Sequence, residues 1–465
     1  MTLVRPESLG VPPPVRALAE RLGEAGGRLL LVGGWVRDGC LGLAARDLDV
    51  ELYDLDPATA FSVLREAGLE TIEVAGRHFP VLLARGAGFE PFEISLVERS
   101  GEPDPNAGFT RRAAERAGRR DLTLNAMALD PLTGECFDAR GGFEDLASRR
   151  LRAVDPSRFG EDPLRVLRVA RLAAWLEAEP DRELLACCRA QDLSQLAVER
   201  IFRELDRLLC ASRPSLGLRV LHMTRGLAPL PELAALEGVP QDPHWHPEGC
   251  VWTHTLMVVD EAAALRSGHA ERDGWLMWSA LLHDLGKPRT TRREAGAVRS
   301  HGHGALGAGL AAALLERLRA PGATVAAVEA LVRHHLAPAL LIAQESSDRG
   351  FRRLARRLAR AGVDADLLQR VARADHFGRA TQDARARRFA AGDEFVARMQ
   401  SLETLGGPPA VRVRGRDVIA AGLEPGPAVG AVLARCEAIE DETGWTDPAR
   451  ILERALREHR GAAAD

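Results

Sequence analysis

Residues 32–54 constrain the fold more than any other stretch of the chain. An apolar run ends in Gly33 and Gly34, and a second apolar run soon afterwards carries Asp47 and Asp49. Glycines between a strand and a helix let backbone N–H groups approach phosphate oxygens, and the start of the helix adds partial positive charge. The first run therefore indicates a strand, a tight turn and a helix that together can bind an anion.

Asp47 and Asp49 lie two positions apart, so their side chains project from the same face of the predicted strand. Neighbouring carboxylates repel each other unless a cation lies between them, and hard oxygen ligands suit Mg²⁺. The alternative is that both aspartates cap the end of the strand. Glu93, on a later predicted strand, is a candidate third carboxylate. The pattern favours a magnesium site for phosphate chemistry.

The first part of the chain alternates between helical and strand patterns, and from about residue 140 the pattern is helical. We predict an α+β N-terminal head built on a small mixed sheet, followed by all-α domains. The predicted boundaries are 1–138 for the head, 139–240 for a helical neck, 241–388 for a third domain and 389–465 for a helical tail. Within the head we predict helices at 15–25, 35–42 and 57–68, and strands at 28–34, 47–54, 79–86 and 89–98.

Charge and cysteine content narrow the class of protein. The formal net charge is −4, so a nucleic acid would have to bind at local patches such as the arginine runs at 111–120 and 349–360. The alternative is that these runs are solvated helix faces. Seven cysteines without a C-x-x-C pair indicate a reducing compartment. The N-terminus lacks a signal-peptide pattern and no long apolar window is uninterrupted, so we expect a cytoplasmic protein without a membrane partner.

Five motifs, in order along the chain, resemble those of class II tRNA nucleotidyltransferases and bacterial poly(A) polymerases, within the polymerase-β-like nucleotidyltransferase superfamily. They are "GGWVRD…RDLDV" (33–50), "RRDLTLNAMALD" (119–130), "DARGGFEDLASRRLRAV" (138–154), "EDPLRVLR" (161–168) and "ERIFRE" (199–204). The resemblance implies a polymerase-β-like nucleotidyltransferase head in which Asp47 and Asp49 are catalytic and bind Mg²⁺. It implies nucleotide-binding roles for Gly33, Gly34, Arg37, Arg119, Arg120, Asp121, Asn125, Glu161, Asp162, Arg165 and Arg168.

The motif at 161–168 implies how the incoming base is selected. Cytosine and adenine both present an amino donor beside a ring-nitrogen acceptor, which an aspartate and an arginine can read together. Asp162 and Arg165 are three residues apart on a predicted helix, so they would share one face, and Glu161 would hold Arg165 in place. A surface salt bridge is the alternative. The partners implied are tRNA, CTP and ATP.

A second constellation resembles the metal-ligand set of HD-superfamily phosphohydrolases. His254, the doublet His283–Asp284 and Asp375 lie on separate predicted helices. Imidazole and carboxylate ligands together suit a transition metal or Mg²⁺ that activates water on a phosphate ester. The resemblance implies an HD domain at 241–388 that holds a divalent metal of unknown identity and hydrolyses RNA phosphate ends. Further histidines stay unassigned, namely His301, His303, His334 and His335.

Two segments depart from the family pattern. A T-x-R-x-E-like run is replaced by "SLVERSGEPDPNAGF" (95–109), and an acidic run by "TRRAAERAG" (110–118). The second segment resembles a shortened form of the flexible loop that the family needs to switch from C to A addition. The motifs imply CCA addition to the tRNA 3′ end, and the shortened loop makes CC addition alone, completed by a separate A-adding enzyme, the alternative. Further alternatives are a poly(A) polymerase and an HD phosphohydrolase with an inactive head.

Overall fold

The computed structural model describes residues 3–43, 48–75, 81–86, 89–97, 105–294, 296–408 and 412–462. The chain divides into two compact units. The first consists of Met1–Leu193 and Met223–Gly226, and the second of Ser194–His222 and Leu227–Asp465. Asp47, which the sequence predicts to be catalytic, lies outside the described residues.

The first unit is built on one mixed sheet of seven strands. They are β1 (Arg28–Val32), β2 (Asp49–Tyr53), β3 (Leu69–Ala75), β4 (Val81–Gly86), β5 (Phe89–Val97), β6 (Ala128–Leu129) and β7 (Cys136–Phe137). Their order across the sheet is β3-β4-β5-β2-β1-β6-β7. β2 and β5 are parallel, and the other neighbours are antiparallel. A separate parallel pair is formed by β8 (Arg150–Leu151) and β9 (Glu179–Pro180).

Helices surround the sheet and complete the first unit. The α-helices are α1 (Pro13–Glu24), α2 (Gly34–Cys40), α3 (Pro57–Glu66), α4 (Pro105–Ala117), α5 (Gly142–Ala147), α6 (Arg165–Leu176) and α7 (Arg182–Arg189). Short 3₁₀ helices occupy Pro6–Ser8, Thr123–Asn125 and Pro156–Glu161. The predicted α+β head with a small mixed sheet is confirmed.

In its described residues, the second unit has helices and one hairpin, formed by β10 (Arg292–Glu294) and β11 (Ala297–Arg299). Its first helices are α8 (Val198–Leu209), α9 (Pro214–Met223), α10 (Pro231–Ala234), α11 (Val251–Ala264), α12 (Ala270–Leu282), α13 (Lys287–Thr290), α14 (His303–Arg317) and α15 (Gly322–His334). The remaining helices are α16 (Ala337–Ala343), α17 (Asp348–Arg360), α18 (Ala365–Phe377), α19 (Gln382–Arg385), α20 (Ala390–Ser401), α21 (Gly415–Ala420), α22 (Pro427–Thr443) and α23 (Pro448–Ala462). The predicted helical remainder is confirmed.

Capping residues in the sequence set several helix starts. Asp56 accepts a hydrogen bond from the Thr59 N–H at 3.0 Å, and Pro57 follows it at the first helical position, so α3 begins there. Asp181 and Asp364 cap α7 and α18 in the same way. These short polar signals interrupt the apolar pattern and fix where the chain turns into each helix.

The two faces of the sheet differ in polarity. Val50 of β2 packs into the main apolar core of the first unit. Asp49, Glu51 and Tyr53 alternate with it and project from the opposite face. α4 covers that face, where the rings of Phe109 and Tyr53 meet edge to face at 5.0 Å. A polar stripe of β2 therefore runs beneath a helix, which gives its carboxylates close partners.

One strand of the head was missed, and one predicted loop was wrong. Leu69–Ala75 forms β3, which the sequence analysis did not predict. Residues 110–117, likened to a flexible loop, belong to α4. Phe109 and Ala113, one helical turn apart, are both buried against the sheet, and this apolar contact explains the helix.

A prediction about the base-selecting motif was also wrong. Asp162 does not share a helical face with Arg165, because it has extended dihedral angles (φ −139°, ψ 103°) and α6 begins at Arg165. The physical reason is Pro163, whose ring disfavours the helical conformation in the residue before it.

The second arginine run, on α17, faces acidic residues of α22 in the same unit. The Arg356 side chain is buried and donates to Asp441 Oδ1 at 3.0 Å and to Glu440 Oε2 at 2.6 Å. Arg349 lies 3.4 Å from Glu442. The expectation that this run is either a solvated face or a tRNA contact is therefore wrong for Arg356, which holds two helices together.

Among the described residues, one stretch, Gly322–Ala343, has the length and composition of a membrane-crossing helix. It covers α15 and α16. Four side chains of α15 are buried within the protein: Ala327, Val328, Leu331 and Val332. Core helices of soluble proteins meet the same criteria, so the stretch is only a weak indication of a membrane span.

Candidate active sites

The turn between β1 and α2 brings three predicted site residues together. Gly33 has φ 67°, a conformation that strains residues with a side chain. A Cβ at Gly33 would lie 2.7 Å from Arg120 Nη1 and 3.2 Å from Asp49 Oδ2. The glycine thus leaves room for the Arg120 guanidinium next to the Asp49 carboxylate. A guanidinium donor beside a carboxylate oxygen that can accept a metal ion is an arrangement that suits a polyphosphate.

Asp49 opens β2 and pairs in register with Glu93 of the parallel strand β5. Paired residues on neighbouring strands project from the same face, so the two carboxyl groups lie side by side. Glu93 is exposed. This register keeps Glu93 as a candidate third carboxylate, and oxygen ligands of this kind fit Mg²⁺.

Glu51 is a residue that the sequence analysis missed. It is buried under α4 and accepts hydrogen bonds from Tyr53 Oη at 2.7 Å and Arg120 Nη2 at 2.9 Å. Arg116 Nε lies 3.5 Å away. Burial raises the pKa of the Glu51 carboxyl, but Arg120, Arg116 and the Tyr53 hydroxyl more than offset this, so the pKa lies below its ordinary value. The period-two spacing of Asp47, Asp49 and Glu51 was the signal that could have found it.

A chain of hydrogen bonds links four of the predicted nucleotide-binding residues. Arg37 Nη1 donates to Asn125 Oδ1 at 2.6 Å, and Asn125 Nδ2 donates to Asp121 Oδ1 at 2.8 Å. Arg168 Nε donates to Asp121 Oδ2 at 2.7 Å. Burial raises the pKa of Asp121, but Arg168, Asn125 and the Leu122 N–H outweigh it, so the pKa is well below its usual range. The buried carboxylate therefore fixes the orientation of two arginines. Gly34, which starts α2, lies beside Arg37.

The base-selecting motif is arranged differently from the prediction. Glu161 pairs with Arg158, with Oε1 2.7 Å from Nε, and not with Arg165. Arg165 is held instead by two backbone carbonyls, Arg158 O and Arg119 O, each at 2.8 Å. Asp162 Oδ1 accepts from the Leu164 N–H at 3.1 Å. These two carbonyls position the Arg165 side chain. Among the described residues, it has no carboxylate partner.

A cavity of about 300 Å³ lies on this side of the head. Its lining is strongly charged. The cavity extends from the face of β2 that α4 covers to the region of the base-selecting motif. The lining residues are Glu51, Arg116, Arg119, Arg120, Arg158 and Glu161. Four guanidinium groups against two carboxylates give the cavity an excess of positive charge, which favours a triphosphate.

In the second unit, all four predicted HD residues come together at the centre of a helical bundle. His254 lies on α11, His283 and Asp284 follow α12, and Asp375 lies on α18. His254 Nε2 is 3.1 Å from Asp375 Oδ1, and His283 Nε2 is 3.2 Å from Asp284 Oδ2. Ligand atoms of His254, His283 and Asp284 all lie within 4.8 Å of one another. These residues are buried.

Two buried ligand atoms of this centre lack ordinary partners. Within the described part of the chain, no hydrogen bond reaches His283 Nε2 or Asp284 Oδ1. Lys287 Nζ lies 2.7 Å from Asp284 Oδ2 and donates to Gln241. Burial raises the pKa of Asp284, but His283, Lys287 and His303 outweigh it, so the pKa is well below its ordinary value. Buried acceptors without donors fit a metal ion, and the imidazole content favours a transition metal.

Glu248 and His246 are functional candidates that the sequence analysis missed. Glu248 Oε1 lies 2.9 Å from both His254 Nδ1 and His246 Nδ1, and its other oxygen accepts from the Ala380 N–H at 3.0 Å. Burial lowers the pKa of His246 to about 4 although Glu248 raises it. A carboxylate behind a ligating histidine orients the ring and strengthens the ligand. The only signal in the sequence was the cluster "HWHPEG" shortly before His254.

A cavity of about 780 Å³ opens onto the HD centre. Asp284, His303, His335 and Asp375 contribute to its wall. Several cationic or imidazole side chains line the remainder: Lys287, Arg299, His301, Arg333, His334 and Arg379. The cavity therefore leads a negatively charged group to the buried ligand atoms.

Comparisons with known proteins match a family to each of the two regions that contain these sites. Residues 29–152 match the family model described as Poly A polymerase head domain, and residues 251–380 match the HD domain. Residues 186–236 match a probable RNA and SrmB-binding site of polymerase A. The chain is thus a nucleotidyltransferase head followed by an HD domain, and the predicted enzyme class is confirmed.

A relative from Xanthomonas campestris pv. campestris (strain B100), a multifunctional CCA protein, is 35% identical over 434 residues, which cover 88% of this chain and 96% of the relative. The chain belongs to the multifunctional CCA protein family of nucleotidyltransferases, so the resemblance drawn from the motifs is confirmed.

Two solved structures share the fold. A CCA-adding enzyme in complex with CTP has a TM-score of 0.61 at 17% identity and covers 96% of each chain. The Thermotoga maritima CCA-adding enzyme complexed with tRNA has a TM-score of 0.60 at 15% identity, covering 98% of this chain and 100% of that one. At such identities, the likeness concerns the fold alone.

Proposed function

We propose that this protein adds cytidine, cytidine and adenosine to the 3′ end of tRNA, using CTP and ATP, in the cytoplasm. The main support for the proposal is that the Asp49 carboxylate and the Arg120 guanidinium meet at the Gly33 turn. Glu93 pairs in register with Asp49 on the neighbouring strand, so a further carboxylate lies on the same face. The family relation to a multifunctional CCA protein supports the choice of substrate. The predicted division into head (1–138), neck (139–240), HD domain (241–388) and tail (389–465) forms part of the proposal.

The residues of the head would divide the work of nucleotidyl transfer. Asp49, with Asp47 and with Glu93 in register, would hold Mg²⁺, which when bound supplies positive charge at the reacting phosphate. Arg120 would bind triphosphate oxygens over the Gly33 turn. Asp121 would keep Arg168 oriented through the 2.7 Å hydrogen bond that it accepts.

Base selection would rest on Asp162 and Arg165. An arginine carries five N–H donors, and the two carbonyl contacts of Arg165 leave donors for a ring nitrogen. An aspartate can accept from the amino group that cytosine and adenine share. Guanine and uracil would leave buried polar groups unpaired, which costs more than a mismatched apolar contact.

The test of the proposal uses tRNA transcripts that end before the tail, after C and after CC. Purified protein, Mg²⁺ and CTP, ATP or both are supplied, and products are resolved at single-nucleotide length. CCA added to the bare transcript would support the full activity. Arrest at CC would make this a CC-adding enzyme that needs an A-adding partner, long A tails would indicate a poly(A) polymerase, and no extension would contradict the proposal.

We further propose that the HD centre hydrolyses phosphate groups at RNA ends. The observation in its favour is a set of buried, unpartnered ligand atoms at the end of a cation-lined cavity. A bound metal ion would supply an activated water, while Arg379 and Lys287 would attract the phosphate. Hydrolysis of RNA ending in a 2′,3′-cyclic phosphate should disappear in His283→Ala. The matched control is His269→Ala, an exposed histidine outside this cavity, which should keep the activity.

A further inference from the structure

A smaller cavity of about 380 Å³ adjoins the HD centre beside the large, cation-lined one. We call it the side cavity. Its volume lies in the range of about 300–1,000 Å³ that small-molecule sites occupy. Apolar side chains form much of its wall, namely Trp245, Leu336, Ala339, Ala372, Phe389 and Ala391. The side cavity therefore suits a flat, largely apolar group, whereas the cation-lined cavity suits an anion.

The two cavities meet at the HD centre. Asp375 and Arg379 line both of them. Asp375 Oδ1 lies 3.1 Å from His254 Nε2, and Asp375 Oδ2 lies 3.2 Å from Arg379 Nη2. The shared wall thus contains a carboxylate of the HD set and a guanidinium group. A phosphate attracted to this wall lies between the cavities, so the group esterified to it can extend into the side cavity.

Trp245 lines both cavities and is 57% exposed, the highest value among the exposed large apolar side chains of the described residues. A side chain that stays in water contributes little burial energy, so the packing of the fold does not account for it. Proteins that bind the ends of single-stranded RNA stack unpaired bases on aromatic rings of this kind. The ring is therefore available as a stacking surface next to a phosphate site.

Hydrogen bonds fix the turn that carries Trp245 relative to the HD centre. The Asp242 carbonyl accepts from the N–H groups of Trp245 and His246, at 3.1 and 2.8 Å. His246 Nδ1 lies 2.9 Å from Glu248 Oε1, and the same oxygen lies 2.9 Å from His254 Nδ1. A short polar path thus connects the turn to a histidine of the HD set. Such preorganisation lowers the entropic cost of binding a ligand against the ring.

We infer that the side cavity binds the base of the 3′-terminal ribonucleoside whose phosphate group the HD centre hydrolyses, and that this base stacks on Trp245. The phosphates on the 5′ side of the RNA would lie in the cation-lined cavity, near Arg299 and Arg333. Every base has an aromatic face, so stacking selects for the presence of a base rather than for its identity. The inference rests on the proposed HD activity and assigns it a substrate class, phosphate esters of ribonucleosides.

The test compares a substrate that has a base with one that has none. Hydrolysis of adenosine 2′,3′-cyclic phosphate and of glycerol 1,2-cyclic phosphate is measured on the full-length protein. For the adenosine compound, Trp245→Ala should raise KM about 10-fold with little change in kcat, because one stacking contact is lost. Trp245→Phe should retain most of the affinity. Hydrolysis of the glycerol compound should be the same in all three proteins. An equal loss on both compounds, or no loss on either, would overturn the inference.

A binding measurement does not depend on hydrolysis. Adenosine 2′,3′-cyclic phosphate is titrated into chelator-treated protein, and tryptophan fluorescence is recorded. Part of the quenching seen in wild type should be missing in Trp245→Phe, and this difference excludes any signal from nucleotide bound to the head. Trp175→Phe, which changes an exposed tryptophan of the first unit, should match wild type. Equal quenching in wild type and Trp245→Phe would overturn the stacking.

The two measurements also separate the inference from the activity on which it rests. If wild type hydrolyses neither cyclic phosphate, the proposed HD activity fails, and the fluorescence titration alone decides whether a base binds at Trp245. Melting temperatures of the Trp245 variants should equal that of wild type, because the side chain is mostly in solvent.

Discussion

The two sites place buried carboxylates in opposite surroundings. In the head, Glu51 accepts from Arg120 and Tyr53, and Asp49 lies beside the same arginine. In the HD centre, Asp284 lies between the imidazole rings of His283 and His303, and Lys287 Nζ approaches only its Oδ2, at 2.7 Å. The head is organised by protein cations that a triphosphate can engage, whereas the HD centre is organised for metal ions. Glu51 therefore has its partners without a ligand, whereas His283 Nε2 and Asp284 Oδ1 gain one only when an ion binds.

The largest expected effect comes from removing one carboxylate of each site in turn. Asp49→Ala should lower nucleotide addition by at least about 10³-fold, about 4 kcal/mol of barrier, because an essential metal ligand is lost. RNA phosphate hydrolysis should persist. Asp284→Ala should instead abolish RNA phosphate hydrolysis while nucleotide addition persists. Both activities are measured on each variant under the same conditions.

The matched control for Asp49→Ala is Glu90→Ala, which removes an exposed carboxylate from β5. It should leave both activities near those of wild type. If Asp49→Ala still adds nucleotides, the head carboxylates are structural, and the proposed contrast between the two sites is wrong.

A buried ion pair that belongs to neither site provides a reference for how much such a pair contributes to stability. Arg356 is buried and binds Asp441 and Glu440. Arg356→Ala leaves two buried carboxylates without their partner, so it should lower the free energy of unfolding by about 3 kcal/mol. Arg353→Ala, an exposed neighbour on α17, should change it by less than about 0.5 kcal/mol. Urea denaturation measures both, and equal effects would mean that the buried pair contributes little.

Metal removal should act on one unit more than on the other. An ion present at 100 times its dissociation constant stabilises the folded state by about 2.7 kcal/mol. In the absence of nucleotide, a chelator should therefore lower the melting temperature of the second unit, by about 5 °C for a unit of this size. The head transition should move less, because Glu51 keeps its partners Arg120 and Tyr53 whether or not a metal ion is bound. Calorimetry with and without chelator tests this, and equal shifts in both units would contradict it.

The sequence predicted the elements around both sites better than it predicted the contacts within them. The Gly-Gly turn and the His-Asp doublet carry local signals, since each depends on neighbouring residues. The partners of Arg165 could not be predicted, because they are the backbone carbonyls of Arg158 and Arg119. Every residue has a backbone carbonyl, so a sequence does not show which one an arginine contacts. His335 was present in the chain as one of several histidines, and only the tertiary fold placed its Nε2 opposite that of His303.

Proline and long-range pairing account for the two remaining surprises. Pro163 was visible beside Asp162, so the extended conformation of that aspartate could have been predicted from the steric effect of the proline ring. The burial of Arg356 could not, because its acidic partners on α22 lie 84 and 85 residues further along the chain. Charge runs in a sequence do not reveal whether solvent, a nucleic acid or another helix faces them.

The smallest effect, and the one that tests the role of Glu51, is expected from Glu51→Gln. The amide keeps the size of the side chain but loses its charge, so the hydrogen bond from Arg120 weakens and stability should fall by about 1.5 kcal/mol. Arg120 would also be less well placed for a triphosphate. The KM for CTP and ATP should therefore rise more than kcat falls, a split that a merely structural role would not produce.

The pH dependence of the stability of Glu51→Gln tests whether the ionised Glu51 carboxylate stabilises the fold. The folded-state pKa of Glu51 is below its ordinary value of 4.5, so its carboxylate stabilises the fold at pH values above about 4.5. That contribution is lost as the pH falls through the lower, folded-state pKa. The difference in melting temperature between wild type and Glu51→Gln should consequently be full near neutrality and shrink in acid. A difference that grew in acid would mean that the protonated carboxyl is the form the fold prefers, and the head site would then resemble an unpaired buried acid rather than an ion pair.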